Sequence, residues 1–154
     1  FRGNHYFLSN MYNCTVIIDG IKYSSSEAAF QAQKCKNPSD RELFCPLDGF
    51  SAKSKGKTVA LREDWEQVKV KIMLTVVLQK FLQNPILAKM LVNTDDAQII
   101  EVNKHRDSFW GVYNGDGKNY LGEILMIVRR LFKSGKIVIE NDKCVVFDCN
   151  FKSL

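Results

Sequence analysis

Two groups of residues in this 154-residue chain have the types and spacing that chemistry needs. The first is Glu27 with Lys34, and Phe30 or Gln31 between them. Seven residues of α-helix turn through about 700°, close to two full turns, so a carboxylate and an amine at that spacing share one face. Their Cα atoms stand about 10 Å apart at about 1.5 Å rise per residue, and a long side chain leaning toward the N-terminus closes part of that gap. Such a pair can shuttle a proton and present an amine to one pocket. Glu27 also completes the Ser24-x-x-Glu27 spacing of a capping box, so a helix cap and a solvated lysine are the commoner structural alternative.

The second group is Asp107-x-x-Trp110-Gly111, running into Val112-Tyr113-Asn114-Gly115-Asp116-Gly117-Lys118-Asn119. A glycine-rich loop beside a carboxylate and an aromatic face suits a planar base joined to a sugar or phosphate, because glycines let backbone N–H groups approach closely. The loop matches neither the phosphate-binding nor the dinucleotide glycine fingerprint. Its structural alternative is a surface turn with Trp110 in the core. Trp65 is, by residue statistics, more often core than ligand platform. His5 and His105 have no Cys or acidic partner at a metal-ligand spacing, so no metal site is predicted. Cys35 lacks an evident base, which argues against a thiol nucleophile.

These residues need elements to position them. Residues 6 to 23, with the turn signal Asp19-Gly20, predict a small hairpin. A helix is expected over 25 to 36, and short helices near 39 to 44 and 50 to 56. Asp64 is the expected N-cap of a long helix to about Gln83, apolar on two sides; Asn84-Pro85 then starts a shorter helix to about Leu91. Gln98 to Val102 reads as a strand, and Leu121, Leu125, Val128 and Phe132 mark an amphipathic helix. A terminal hairpin is expected around Glu140-Asn141-Asp142-Lys143.

Composition is that of an ordinary globular domain, 45% hydrophobic and 25% charged, which disfavours disorder, collagen-like repeats and coiled coils. No apolar run approaches the roughly 20 residues that cross a bilayer, and residues 1 to 10 carry no secretory pattern. Five cysteines, Cys14, Cys35, Cys45, Cys144 and Cys149, without a Cys-x-x-Cys pair, are expected as reduced thiols in a cytoplasmic protein. The net charge of +5 suits a phosphorylated substrate or nucleic acid.

In order along the chain, Phe7-Leu8-Ser9-Asn10, Asp19-Gly20 with Tyr23, Ser26-Glu27-x-x-Phe30-Gln31-Ala32-x-Lys34, Ala52-Lys53-x-x-Gly56, Leu61-Arg62-x-Asp64-Trp65, Lys80-Phe81-x-Gln83-Asn84-Pro85, Asp107-x-x-Trp110-Gly111 and Asn119-x-Leu121-Gly122-x-x-Leu125-Met126 resemble the NADAR (YbiA-like) family. The resemblance covers about residues 6 to 132. It implies a compact, mainly helical α+β single domain over 1–132, with a small N-terminal β-hairpin and residues 133–154 as a C-terminal hairpin extension. It also implies an enzyme without cofactor or metal that hydrolyses N-glycosidic bonds at C1′ of a ribose. The implied substrates are ADP-ribosylated guanine in DNA or RNA, or a ribosyl nucleotide, with phosphoribosylated pyrimidine intermediates of riboflavin biosynthesis as the second choice. A non-catalytic NAD or ADP-ribose-binding module is the alternative of another class.

By the same resemblance Glu27 is the acid/base, Asp107 a second carboxylate and Lys34 a Schiff-base nucleophile, and Asn10, Gln31, Trp65, Trp110, Gly111 and Asn119 contact the substrate. Breaking a C1′–N bond develops positive charge on the sugar and negative charge on the base, which calls for these residue types. Ala28 stands where many relatives have His. The stretch from Glu101 to Trp110 is one residue longer than usual and the loop from Trp110 to Asn119 one shorter, which moves Asp116 off the relatives' loop carboxylate.

Overall fold

A computed structural model describes residues 1–147. Cys149 and the last part of the expected C-terminal extension lie outside the described residues. The described residues form a mainly helical α+β fold. Its elements are a 3-10 helix (Gly3–Leu8), β1 (Asn13–Ile18), β2 (Ile21–Ser25), α1 (Ser26–Ala32), a second 3-10 helix (Pro38–Phe44), α2 (Gly49–Lys55), α3 (Trp65–Gln83), α4 (Pro85–Val92), α5 (Tyr120–Lys133), β3 (Ile137–Glu140) and β4 (Lys143–Val146). The chain divides into two units, Phe1–Lys80 and the remainder from Phe81.

In the first unit β1 and β2 pair antiparallel, Val16 opposite Tyr23 and Ile18 opposite Ile21, with an irregularity between Asn13 and Val16. Asp19 and Gly20 close the hairpin at φ of 52° and 79°. Two consecutive left-handed residues make the turn whose twist matches paired strands, which is why Asp-Gly stands there. Val16, Ile18 and Tyr23 are buried. The last strand residue, Ser25, is also the N-cap of α1: its hydroxyl accepts the Ala28 N–H at 3.1 Å. No loop separates hairpin from helix, and all seven residues of α1 are buried.

Two expectations change here. The capping box does not form, because the cap is Ser25 rather than Ser24, and Ala28 instead of Glu27 occupies the third helical position. Helix α1 also stops at Ala32 rather than near residue 36. Gln33, Lys34 and Cys35 turn tightly, each N–H donating three residues back, and the chain then pairs with residues 60 to 62: Arg62 N–H donates to Lys34 O at 2.9 Å and Lys36 N–H to Ala60 O at 2.8 Å. Long-range backbone bonding overrides the helix propensity of the sequence.

Helix α3 starts and ends where the spacing predicts. The Asp64 carbonyl accepts from Val68, while the Asp64 carboxylate is held by Arg62 at 2.6 and 2.9 Å.

In the second unit, α5 buries Leu121, Leu125, Val128 and Phe132, the residues whose spacing marks it. Strands β3 and β4 pair antiparallel, with Asn141 and Asp142 at φ of 47° and 55° in the connecting turn. The strand expected over Gln98 to Val102 reduces to a single bridge between Val102 and Val112. The reason is Asn103, whose side-chain Oδ1 accepts from His105 and Asp107 N–H, both at 3.0 Å, and bends the chain away from any longer ladder.

Tyr23 is 1% exposed, and its hydroxyl has no hydrogen-bond partner among the described residues. Burial, followed by Cys45, pushes its pKa up to about 12 against the pull of Arg41. The fold therefore favours the neutral phenol: that stability is complete below the ordinary phenol pKa of about 10 and is lost as pH rises through about 12. Tyr23→Phe is expected to leave unfolding free energy at pH 7 unchanged or raised by about 1 kcal/mol, and to flatten the loss between pH 10 and 12. Urea unfolding across that range checks both; a loss above about 2 kcal/mol at pH 7 contradicts the reading of an unbonded hydroxyl.

Candidate active site

The first set of residues is assembled around the start of α1. Glu27 N–H donates to Asn10 O at 2.9 Å, tying the helix to the residue that follows the N-terminal turn. Asn10 is buried; its Nδ2 lies 3.2 Å from Met73 Sδ, and its Oδ1 has no hydrogen-bond partner among the described residues. One helical turn beyond Glu27, Gln31 Nε2 donates to Glu27 Oε1 at 2.8 Å. Both side chains are nearly sealed, at 7% and 5% exposure.

Helix α2 closes over this pair through two glycines. A Cβ on Gly56 would stand 1.9 Å from Gln31 Oε1, and one on Gly49 would stand 2.8 Å from Met11 Sδ and 3.4 Å from Glu27 Cβ. Position 56 thus requires a residue without a side chain if Gln31 is to keep its hold on the carboxylate.

Lys34 belongs to the same set, though by a different route from the one its spacing suggested. It lies beyond the helix, in the turn fixed by Arg62. Its Nζ stands 5.6 Å from the centroid of the Trp65 ring, and Trp65 packs on Phe30 with centroids 5.2 Å apart. Burial lowers the Lys34 pKa; Glu27 opposes that shift, and Lys53 and Lys57 add to it. An amine beside an aromatic wall, desolvated and ringed by like charges, holds its proton less tightly than a solvated lysine does.

The second set is in the second unit. Asp107 Oδ1 accepts two backbone N–H groups, from Phe109 at 3.1 Å and Trp110 at 2.9 Å. Asn103 Nδ2 donates to Asp107 O at 2.7 Å, so two short polar side chains in series bend the stretch that carries Trp110. The Trp110 ring meets Phe109 edge-on at 4.9 Å, and Phe109 lies 4.7 Å from Tyr120. Gly111 is buried because its backbone runs against Glu101 O, 2.2 Å from where a Cβ would be. Gly117 presses on Gly111 O in the same way, and Gly115 sits at the apex of a turn in which Tyr113 and Asp116 exchange backbone bonds of 2.8 and 3.0 Å. The three glycines thus shape the loop itself. Asn119, left-handed at φ 51°, joins loop to α5, its carboxamide bridging Glu101 N–H and Ile99 O, both at 2.9 Å.

Sequence reasoning assigned no role to Gly56, Asn103 or Lys80. The signals for Lys80 were its place in the Lys80-Phe81-x-Gln83-Asn84-Pro85 block and its position four residues after Val76, beside buried apolar residues of α3.

The model of the NADAR domain matches residues 1–133. The chain belongs to the NADAR family. Within it, an N-glycosidase of Nostoc punctiforme is 36% identical over 120 residues, which cover 73% of this chain and 76% of that protein. The NMR structure of Escherichia coli YbiA superposes with a TM-score of 0.78 at 31% identity, over 88% of this chain and 84% of that one. A riboflavin biosynthesis protein of Vibrio vulnificus is 38% identical over 130 residues, covering 82% of this chain; the match spans only 35% of that longer protein.

In this NADAR chain the contact between Gly56 and Gln31 is open to a direct test. Gly56→Ala is expected to cost about 1–3 kcal/mol of unfolding free energy by overpacking. In a Gln31→Ala background the same change is expected to cost clearly less, because Oε1 and Cδ are gone and only the residue-31 Cβ, 3.1 Å away, remains in its path. Denaturant unfolding of the four proteins of the cycle measures this; equal costs in both backgrounds contradict the contact.

Proposed function

We propose that this NADAR chain is an N-glycosidase that hydrolyses a ribosyl C1′–N bond, and that its substrate is ADP-ribosylated guanine, in DNA or RNA or as the free nucleotide. The observation that carries the reading is Lys34: an amine desolvated beside Trp65 and electrostatically coupled to a buried carboxylate, Glu27, which Gln31 holds in place. The names of the relatives, N-glycosidase in Nostoc and in the YbiA proteins, supply the reaction class.

Opening of the ribose ring as O4′ takes a proton from Glu27 leaves C1′ doubly bonded to the base nitrogen. The neutral Lys34 amine adds to C1′ and gives up a proton to the Glu27 carboxylate. Glu27 returns a proton to the base nitrogen, the C1′–N(base) bond breaks with its electron pair going to the base, and Lys34 remains joined to C1′ as an imine. Water adds to C1′, and Lys34 departs with a proton. Asn10, Gln31, Trp65, Trp110, Gly111 and Asn119 are the residues we assign to substrate binding. Asp107 is the second carboxylate, with Oδ1 fixing the Trp110 backbone. Residues 1–132 form the catalytic domain and 133–154 its C-terminal extension.

A second reading is favoured by the Vibrio relative, whose name places it in riboflavin biosynthesis. There the bond cleaved is in a phosphoribosylated pyrimidine. A binding module for NAD or ADP-ribose has no use for a weakly basic lysine beside a buried carboxylate, and its test is included below.

Wild-type protein is incubated in parallel with ADP-ribosylated guanosine, ADP-ribosylated DNA and a phosphoribosylated aminopyrimidine, and release of the base is followed. Release from the guanine substrates is expected, with Glu27→Gln at least about 100-fold slower while still binding. Borohydride added during turnover is expected to trap an adduct on Lys34, located by mass mapping. Release from the pyrimidine alone favours the second reading; binding without release from any of the three establishes the module. Active enzyme without an adduct at Lys34 removes the covalent step. Raising salt should weaken binding of a DNA substrate steeply and of a free nucleotide mildly.

A further inference from the structure

Lys80 is the most deeply buried charged side chain among the described residues, 1% exposed, and the reaction above makes no use of it. Its Nζ donates to Phe7 O at 2.6 Å and to Ser9 O at 2.9 Å, and stands 5.6 Å from the centroid of the Tyr12 ring. Those two carbonyls belong to the end of the N-terminal 3-10 helix and its C-cap. The next residue is Asn10, whose carbonyl receives Glu27 N–H and whose buried Oδ1 has no partner among the described residues. An ammonium group draws two carbonyls together at one point through charge-assisted bonds; the neutral amine holds them more weakly, and an apolar side chain of the same length cannot hold them at all.

We infer that Lys80 is a positioning residue: by holding the carbonyls of Phe7 and Ser9 it sets where Asn10 stands, and through the Asn10 to Glu27 backbone bond it sets the height of the Glu27 carboxylate. This rests on the assignment of Glu27 to catalysis, but the chain of contacts is a matter of geometry alone. It also explains why so costly a group persists in a stripe otherwise made of Met73, Val76, Val77 and Phe81, since burial of a lone cation is tolerated only where it is fully bonded. Burial pushes the pKa of Lys80 down to about 8, with Cys14 on β1 acting the other way. Cys14 has its own pKa raised by the same burial, so it stays a neutral thiol through neutral pH, and the Tyr12 ring also faces the ammonium. The clamp is therefore fully charged only well below pH 8, is half-charged near about pH 8 and weakens above it.

The test has two arms. In wild-type protein, NMR follows the Lys80 side chain and the Glu27 and Asn10 amides across pH 6.5–9.5. The Glu27 amide is expected to shift with the same midpoint as Lys80, near pH 8. A Glu27 amide that does not move through the Lys80 titration overturns the proposal, and this arm requires neither a substrate nor a variant. In the second arm Lys80→Met is expected to lower kcat by about tenfold or more while KM changes less than about threefold, the signature of a misplaced reacting group rather than lost binding. The wild-type fall of kcat on the alkaline side of about pH 8 should be absent from the variant. A variant with wild-type kcat, or one that keeps the alkaline fall, contradicts a positioning role. If wild type turns over no ribosylated base, the proposed function fails while the NMR arm still judges Lys80.

Discussion

The backbone hydrogen bond from Glu27 N–H to Asn10 O, 2.9 Å long, is where three pieces of the first unit are joined. On one side is the N-terminal turn, clamped by Lys80; on the other is α1, whose direction is fixed by a hairpin that runs straight into its N-cap. The carboxylate is then held one turn further on by Gln31, and Gln31 by the bare backbone of Gly56. Each link restricts Glu27 from a different direction. A general acid/base needs that restriction, since misplacement by about 1 Å can cost two orders of magnitude in rate.

Two lysines of the same unit show how one physical cause, desolvation, serves different ends. Lys80 is sealed in and its ammonium is met by carbonyl oxygens, so the burial penalty is offset by strong bonds and the group acts as a strut. Lys34 is only half-buried and faces the Trp65 ring, with Glu27 attracting its charge and Lys53 and Lys57 repelling it. Its charged form is therefore less well stabilised than that of a solvated lysine. The chain's positive surplus thus acts locally, around Lys34, as well as on any phosphate-bearing ligand.

Much of this was legible in the sequence where spacing and turn chemistry agree. Asp19-Gly20 gave away the hairpin, and the i, i+4, i+7, i+11 pattern from Leu121 gave α5 to within a residue at either end. The pairing of Glu27 with Lys34 emerged too, but for a reason that does not hold: the two were read as one helical face, whereas Lys34 is placed by backbone bonds to residues 60 to 62. Sequence separation hides such bonds. The strand at 98 to 102 failed because Asn103 competes for backbone N–H groups, and the sequence did not reveal that Gly111 and Gly117 are also needed for close packing of the backbone, on Glu101 and on Gly111. Lys80 stood in one of the family blocks, but no role could be given to it because a lysine on an apolar stripe has no meaning until its carbonyl partners, more than 70 residues away, are known.

The proposed chemistry requires Lys34 to hold its proton less tightly than a solvated lysine, with Glu27 partly restoring its hold. Direct titration of the Lys34 side chain by NMR, in wild type and in Glu27→Gln, measures both. The account predicts a wild-type pKa below the ordinary lysine value of 10.5 and a further fall when the Glu27 charge is removed. Titration of Lys34 at the ordinary value in both proteins would contradict it.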